Sequence, residues 1–478
     1  MDARGRDFRP ANGGKGIHMS KFKKFFGTQD MTVGKPLENL IIFSVPLLIG
    51  NLVQQMYNTV DSIVVGRYVG DAALAAVGLS TPILNFLLLL FMGISTGAGI
   101  MVAQYFGARR KDELTRAVGT CLTLTLISSV IIMIVGPIIT PPLMKLLGTP
   151  ADVYDMAVDY LTILCLGIIG SGYYNIVSGI LRGMGDSVTP LIFLIVACLL
   201  NIVLDIVFVA VFKMAAAGVA LATIIAQAIS AVLCILKLLK MKDVVHIDRQ
   251  SLKLDREMTR DTIRLGLPSG LTQMIFSLAS IVVQSLTNSF GTVVMACSVV
   301  VMRVDGFAMM PNFTFGMAMT TFVGQNVGAR RMDRVKEGVR VGVAASMTIA
   351  IVLVGGILIF GESLMRMFTS TEEVVKLGIH MMQILAVGYI AMAVTQSLSG
   401  VMRGAGDTMT SMWISIITTV VIRTPLAYLL AYLTGSPDSL FISLLISWIM
   451  GAVLNAIMYV KGPWKRKAQE RALAMGGE

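Results

Sequence analysis

Long apolar runs, each near the length of a helix that crosses a bilayer, recur along this chain between short polar or Gly/Pro-bearing breaks. The pattern predicts spans at 37–66, 71–106, 114–137, 151–182, 188–212 and 215–240. It continues with spans at 259–289, 292–326, 335–361, 372–402, 408–432 and 437–460. A helix satisfies its own backbone hydrogen bonds, which segments of this length in lipid must do. The expected fold is therefore an all-α integral membrane protein with twelve transmembrane helices.

Composition agrees with that reading. Hydrophobic residues make up 55% of the 478 positions and charged residues 14%, well below the quarter or so expected of a soluble domain. No polar segment of domain size remains, so a single-pass anchor on a soluble domain is excluded. Cys121, Cys165, Cys198, Cys234 and Cys297 all fall inside apolar runs and read as small buried hydrophobes, not as a disulfide framework.

The net charge of +11 follows the topology and gives no reason to expect a nucleic-acid partner. With the N-terminus inside, Lys and Arg gather in the terminal tails and in the loops from even to odd spans. The opposite side holds only Arg67, Lys145, Lys213, Arg366 and Lys376, while Arg303 and Arg423 lie within spans. Retention of positive charge in the cytoplasm predicts a multi-pass protein of the cytoplasmic membrane with both termini inside. The expected organisation is a basic tail (1–36), a six-helix lobe (37–240), a cytoplasmic linker (241–258), a second six-helix lobe (259–460) and a C-terminal tail (461–478).

The two lobes repeat each other. Gln104-Tyr-Phe-Gly107-Ala108-Arg109-Arg110-Lys-Asp112 matches Gln325-Asn-Val-Gly328-Ala329-Arg330-Arg331-Met-Asp333, 221 positions apart (325 minus 104). The same offset relates Ser178-Gly179-Ile-Leu-Arg182-Gly183-Met-Gly185-Asp186 to Ser399-Gly400-Val-Met-Arg403-Gly404-Ala-Gly406-Asp407. An even number of spans in each half makes the copies enter and leave on one side, so a pseudo-two-fold axis along the membrane normal is expected. These loops themselves read as structural: Gly ends a helix, Arg stays inside and Asp caps the next helix.

An acid at the centre of a membrane helix costs about 2.5–3.5 kcal/mol on insertion scales, so it calls for a functional hypothesis. Asp61 and Asp205 are the clearest cases. On the first span Gln54, Tyr57, Asn58 and Asp61 share one helical face, and on the fifth Asn201 and Asp205 are one turn apart. Thr223 and Gln227 repeat that spacing on the sixth span, and Tyr160 and Asn175 add polar groups on the fourth. Two plainer readings stay open: Asp61 solvating a helix end near Arg67, and Asp205 making a purely structural interhelical hydrogen bond. Arg303, Asp305 and Arg423 read as charges paired between helices, Asp305 with Arg423 being one such pairing. The 33 methionines suit either a pocket that accepts many shapes or lipid-facing packing.

Enzyme chemistry finds no support. The three histidines are far apart, and the chain holds no HExxH, Walker A or GxSxG motif. Nothing resembles a repeated re-entrant filter of a channel.

The stretch Pro46 to Gln54 with Tyr57, Asp61 and Gly66, the Gly-Ala-Arg-Arg loops and the Arg-Gly-x-Gly-Asp loops together resemble the multidrug and toxic compound extrusion (MATE) family. The resemblance spans Leu37 to Val460. It implies two six-helix lobes in a V that export organic cations and amphipathic, drug-like molecules against entry of a proton or sodium, with no cofactor and as a monomer. Within the family the first half is similar to the DinF branch, which implies cation coupling at Asp61 and Asp205, with Asn201 beside them and sodium as one candidate ion. It also implies a cavity lined by Gln54, Tyr57, Asn58, Tyr160, Asn175, Thr223 and Gln227. The NorM branch carries its carboxylates on the seventh and tenth spans, and here Thr262 to Ser289 and Val374 to Met402 contain no acid. A flippase of a lipid-linked or other specific metabolite on the same two-lobe plan is the alternative, though only Arg303 and Arg423 offer it intramembrane basic groups.

Overall fold

The computed structural model describes residues 27–146 and 148–475. Among them, eleven helices are long and apolar enough to cross a membrane, and twelve when one bent pair is taken as a single span. The first lobe comprises α1 (Pro36–Tyr68), α2 (Asp71–Gly107), α3 (Lys111–Leu146), the bent pair α4 (Ala151–Leu166) and α5 (Ile168–Gly183), α6 (Val188–Asp205) and α7 (Ala215–Lys240). The second comprises α8 (Arg256–Ser289), α9 (Thr292–Gly328), α10 (Met332–Arg366), α11 (Glu372–Gly404), α12 (Thr408–Ile416), α13 (Thr424–Thr434) and α14 (Asp438–Lys461). A short helix, α15 (Trp464–Ala474), follows. In each lobe the first helix packs on the fifth span and the second on the fourth.

Local departures from straight helices have identifiable causes. The fourth span bends by 50° between α4 and α5. Gly167 stands at that bend, where a Cβ would fall 2.3 Å from the Ile224 side chain. Pro137, where the sequence predicts an end, lies inside α3, which continues through Pro141 and Pro142 to Leu146. Side-chain hydroxyls add bonds to carbonyls in this proline-bearing stretch: Thr140 Oγ1 donates to Gly136 O at 2.8 Å and Tyr154 Oη to Pro141 O at 3.1 Å.

The lobes meet through their second helices at the face that carries both described ends of the chain. Gln104 Nε2 on α2 donates to the carbonyl of Gly404 in the second lobe at 2.9 Å, and Gln325 Nε2 on α9 donates to the carbonyl of Gly183 in the first at 3.0 Å. These four residues are two copies of one pair at the 221 offset, so the contact is its own image under a two-fold axis. Gly107 and Gly328 let the helix ends meet, since a Cβ on either would lie 1.9 Å from the carbonyl oxygen of Gln325 or Gln104 respectively. Around this point the helices are buried almost all round, α2 from Ser95 and α9 from Thr314. Toward the opposite face α2 is exposed at Ala75, Gly78, Leu79 and Phe86, and α9 at Val299, Met302, Arg303, Gly306 and Phe307. The lobes are thus sealed at one face and parted at the other.

Two terminal segments reinforce the seal in pseudo-symmetric positions. Residues 27–35, which the sequence assigns to a loose tail, are packed: Met31 is fully buried, and its N–H donates to Gln325 Oε1 at 2.8 Å. Across the axis, Arg471 of α15 donates to Gln104 Oε1 at 3.3 Å and to Asp261 at 3.0 Å. Gly185 and Gly406 adopt φ of +87° and +89°, and each abuts one of these segments, through Gln29 and Arg471. Asp186 and Asp407 cap the helices that follow by accepting from Thr189 N at 2.9 Å and Thr410 N at 3.4 Å, as their positions in the sequence suggest. Lys467 of α15 pairs with the buried Asp407 at 2.7 Å.

Loss of one buried hydrogen bond costs about 1–2 kcal/mol, a factor of about 5–30 in an opening equilibrium. Gln325→Ala is therefore expected to speed amide hydrogen exchange in the 183–187 loop of the first lobe, and Gln104→Ala in the 404–408 loop of the second. Faster exchange confined to the lobe that carries the substitution would contradict this crossed pairing.

Candidate functional site

The most polar feature inside the first lobe grows from α6. This helix is apolar from Pro190 onward except for Asn201 and Asp205, which sit one turn apart and are both fully buried. Immediately after Asp205 the backbone widens into a π-helical segment, Ile206–Val211, a device that often marks functional positions because it breaks the regular hydrogen-bond ladder. Neither Oδ1 nor Nδ2 of Asn201 has a hydrogen-bond partner among the described residues. A buried amide in that state costs about 1–3 kcal/mol, which a purely structural residue has no reason to retain.

Two neighbouring helices close on this pair. Tyr57 of α1 is buried against Leu194 and Cys198, on α6 just before Asn201, and its hydroxyl lies 3.4 Å from Thr223 Oγ1 of α7. Helices α1, α6 and α7 therefore converge here, bringing Tyr57, Thr223, Asn201 and Asp205 into one region. Gln54, partly buried, precedes Tyr57 by one turn on α1, and Asp61 follows by one turn. The side chains of Asn58 and Asp61 lie outside the described residues. Tyr160 is buried against Val209 of the π segment and against Val219 and Ala220 of α7, one turn beyond Asp205.

Asn175 does not join this region through its amide nitrogen. Its Nδ2 donates to Ser171 O within its own helix at 2.8 Å, and its backbone carbonyl accepts from Ser95 Oγ at 2.7 Å. Gln227 is partly buried where α7 passes close to Gly170 of α5, whose Cβ would meet the backbone at Gln227 and Ala228.

The second lobe holds a different polar cluster. Tyr389 of α11 donates its hydroxyl to Asp305 of α9, and its ring packs against Trp448 at 5.8 Å. Arg423, at the end of a second π-helical segment (Ile417–Arg423), lies within electrostatic range of Asp305. No salt bridge joins the two among the described residues, so the direct Asp305–Arg423 pairing is replaced by the tyrosine contact. The Nε of Arg423 is buried without a partner among the described residues. Tyr389 escaped the sequence reading because a lone tyrosine in an apolar span carries no spacing signal. Arg303 is exposed. The methionines of this half divide: Met319 and Met309 are core, while Met302 is 60% exposed.

The MatE family model matches residues 46–207 and again 268–429, once per lobe. The "Probable multidrug resistance protein YoeA" of Bacillus subtilis (strain 168) is 30% identical over 462 residues, covering 93% of this chain and 98% of that protein. The "Probable multidrug resistance protein NorM" of Thermotoga maritima is 23% identical over 470 residues, 96% of this chain and 100% of that one. Among solved structures, the "Outward-facing conformation of a multidrug resistance MATE family transporter of the MOP superfamily" superposes with a TM-score of 0.84 at 25% identity. It covers 94% of this chain and 99% of that one. "Crystal structure of MATE in the bent conformation" gives 0.85 at 24% identity, with 94% and 98% covered.

The unsatisfied amide makes a signed prediction. Replacing Asn201 by Leu removes a buried polar group of similar volume, so Asn201→Leu should leave the thermal midpoint in detergent unchanged or raise it, by an amount matching about 1–3 kcal/mol. A clear fall in midpoint would mean that the amide is already satisfied in the folded protein.

Proposed function

The chain belongs to the MatE family of multidrug efflux transporters, and from that premise we propose that it is an antiporter exporting small organic, cationic or amphipathic compounds in exchange for a proton or sodium ion. The observation that carries the coupling is the fully buried Asn201–Asp205 pair at the head of a π-helical segment, with the Asn201 amide unsatisfied. The Lys and Arg asymmetry supports placing the sealed face, with both termini, in the cytoplasm. The parted side of the lobes then opens outward, as in a state ready to release cargo and take up a cation.

Asp205 is the principal coupling acid on this reading, with Asn201 beside it and Asp61, one turn after Tyr57 on α1, assigned to the same site as in the DinF-like branch. A proton on Asp205 removes its charge directly. The amide oxygen of Asn201 with the hydroxyls of Tyr57 and Thr223 offers the oxygen ligands a sodium ion needs. Either cation neutralises the acid. Cation bound from outside favours a lobe arrangement of low cargo affinity, and cargo loaded from inside favours release of the cation. That opposed binding converts a gradient into export. Inward movement of one charge supplies about 2.3 kcal/mol per 100 mV.

Asp205→Asn mimics a permanently neutral acid. The protein should reach the membrane at the wild-type level, and uphill export in proteoliposomes should fall at least tenfold under both imposed proton and imposed sodium gradients. Running the two gradients separately on wild type identifies the ion. Uphill export by Asp205→Asn at the wild-type rate sinks the assignment.

A further inference from the structure

At the sealed face, the two Gly-Ala-Arg-Arg loops stand side by side across the pseudo-two-fold axis. They enclose an open cavity of about 430 Å³ lined by Arg109 and Arg110 of the first lobe, Arg330 and Arg331 of the second, and Thr32. Among the described residues, no acid lines it. We propose that this cavity is a binding site for a multivalent phosphate group, and that its occupancy ties the two lobes together at this face.

Charge is the first argument. Four arginines from two lobes line one concavity, and each guanidinium is a planar fork of five donors suited to phosphate oxygens. Their protein partners are loose. Arg109 reaches Asp30 only at 3.8 Å, Arg110 reaches Glu113 at 3.3 Å, and Arg331 reaches Asp333 at 3.5 Å. A well-formed charge-assisted bond is about 2.7–2.9 Å, so these contacts leave donors available. Arg330 uses its Nε on the carbonyl of Ala472 at 3.0 Å, which places α15 at the rim without neutralising the charge.

Backbone strain is the second argument. Arg109 and Arg330 have φ of 57° and 58°, the left-handed conformation that follows a helix end and suits Gly or Asn. For other residues it costs about 1–2 kcal/mol. Retention of positive charge on this side is met equally well by a basic residue at an unstrained neighbouring position. Both halves nevertheless place an arginine at the strained one, and both of these arginines line the same cavity. Because the four arginines belong to two lobes, an anion bound among them favours the arrangement in which this face is closed.

The phosphate has two possible sources, a soluble compound or the headgroup of an anionic lipid, and the test separates them. Thermal stability of the full chain is measured in neutral detergent against sodium pyrophosphate, with sodium chloride at matched ionic strength as control. It is then measured in nanodiscs of phosphatidylcholine with and without phosphatidylglycerol. Wild type should be stabilised in a saturable way by pyrophosphate beyond the salt control. Stabilisation by phosphatidylglycerol that also weakens the response to pyrophosphate assigns the site to lipid, and an unchanged response assigns it to a soluble phosphate.

Arg109→Asn and Arg330→Asn are the informative variants, because Asn tolerates the left-handed conformation. Each should fold at least as well as wild type, while its apparent Kd for the stabilising anion rises about tenfold, the loss of one charge-assisted bond. Wild type indifferent to both pyrophosphate and phosphatidylglycerol overturns the site. So does a double Arg109→Asn/Arg330→Asn protein that responds as wild type does. Neither result touches the export reaction itself, which rests on the first lobe.

Discussion

Everything else in this molecule depends on how closely two helix ends approach one another on the pseudo-two-fold axis. Gly107 and Gly328 allow the backbones of α2 and α9 to meet where any side chain would collide with a carbonyl. Gln104 and Gln325 then reach across to the carbonyls of Gly404 and Gly183. Helices this long, joined tightly at one end, part at the other unless apolar groups fill the gap. Among the described residues, α2 and α9 stay exposed beyond the seal at Leu79, Phe86, Met302 and Phe307. A cleft open at one face is thus a geometric consequence of closure at the other, and a rocking motion needs only the exchange of one set of contacts for another.

The scaffold was legible because its causes are local and repeated. Apolar length specified the spans, and 215–240 and 372–402 differ from α7 and α11 by two residues at most. The 221-residue offset predicted an axis, and the crossed Gln–Gly contacts are that axis expressed in hydrogen bonds. Features set by tertiary context were not legible. Pro137 signals a helix end in water, but in the folded lobe α3 continues through it to Leu146. Residues 27–35 and 464–474 are too short and too polar to announce themselves, yet Met31 and Trp464 are buried because the loops of the repeat leave grooves for them.

The polar site was legible in part, for a similar reason. Spacing picks out Asn201 and Asp205 because a single helix carries both, and both are fully buried. Spacing places Asn175 on a polar list as well. Only the structure reveals that its amide nitrogen is spent on Ser171 one turn away. Tyr389 shows the converse error: its role depends on Asp305 from another helix, and no pattern within its own span points to it.

The two lobes share a frame but not their chemistry, and the π segments explain how. In the first lobe the widened turn follows Asp205. In the second it occupies Ile417–Arg423, which the 221 offset aligns with 196–202 of the first (417 minus 221, 423 minus 221). Each π turn inserts an extra residue, and one residue turns a helix face by about 100°. Residues between the two insertion points are therefore out of phase between lobes, so Leu426 at the offset position of Asp205 is not its counterpart in space. Such a shift lets one lobe hold a buried acid and amide while the other sets Arg423 near Asp305 and Tyr389, without disturbing the spans that carry the symmetric seal. On the antiport proposed above, the two-fold scaffold supplies the motion and broken symmetry in its polar contents gives the lobes different ligands to respond to. Opposed binding of two ligands requires both.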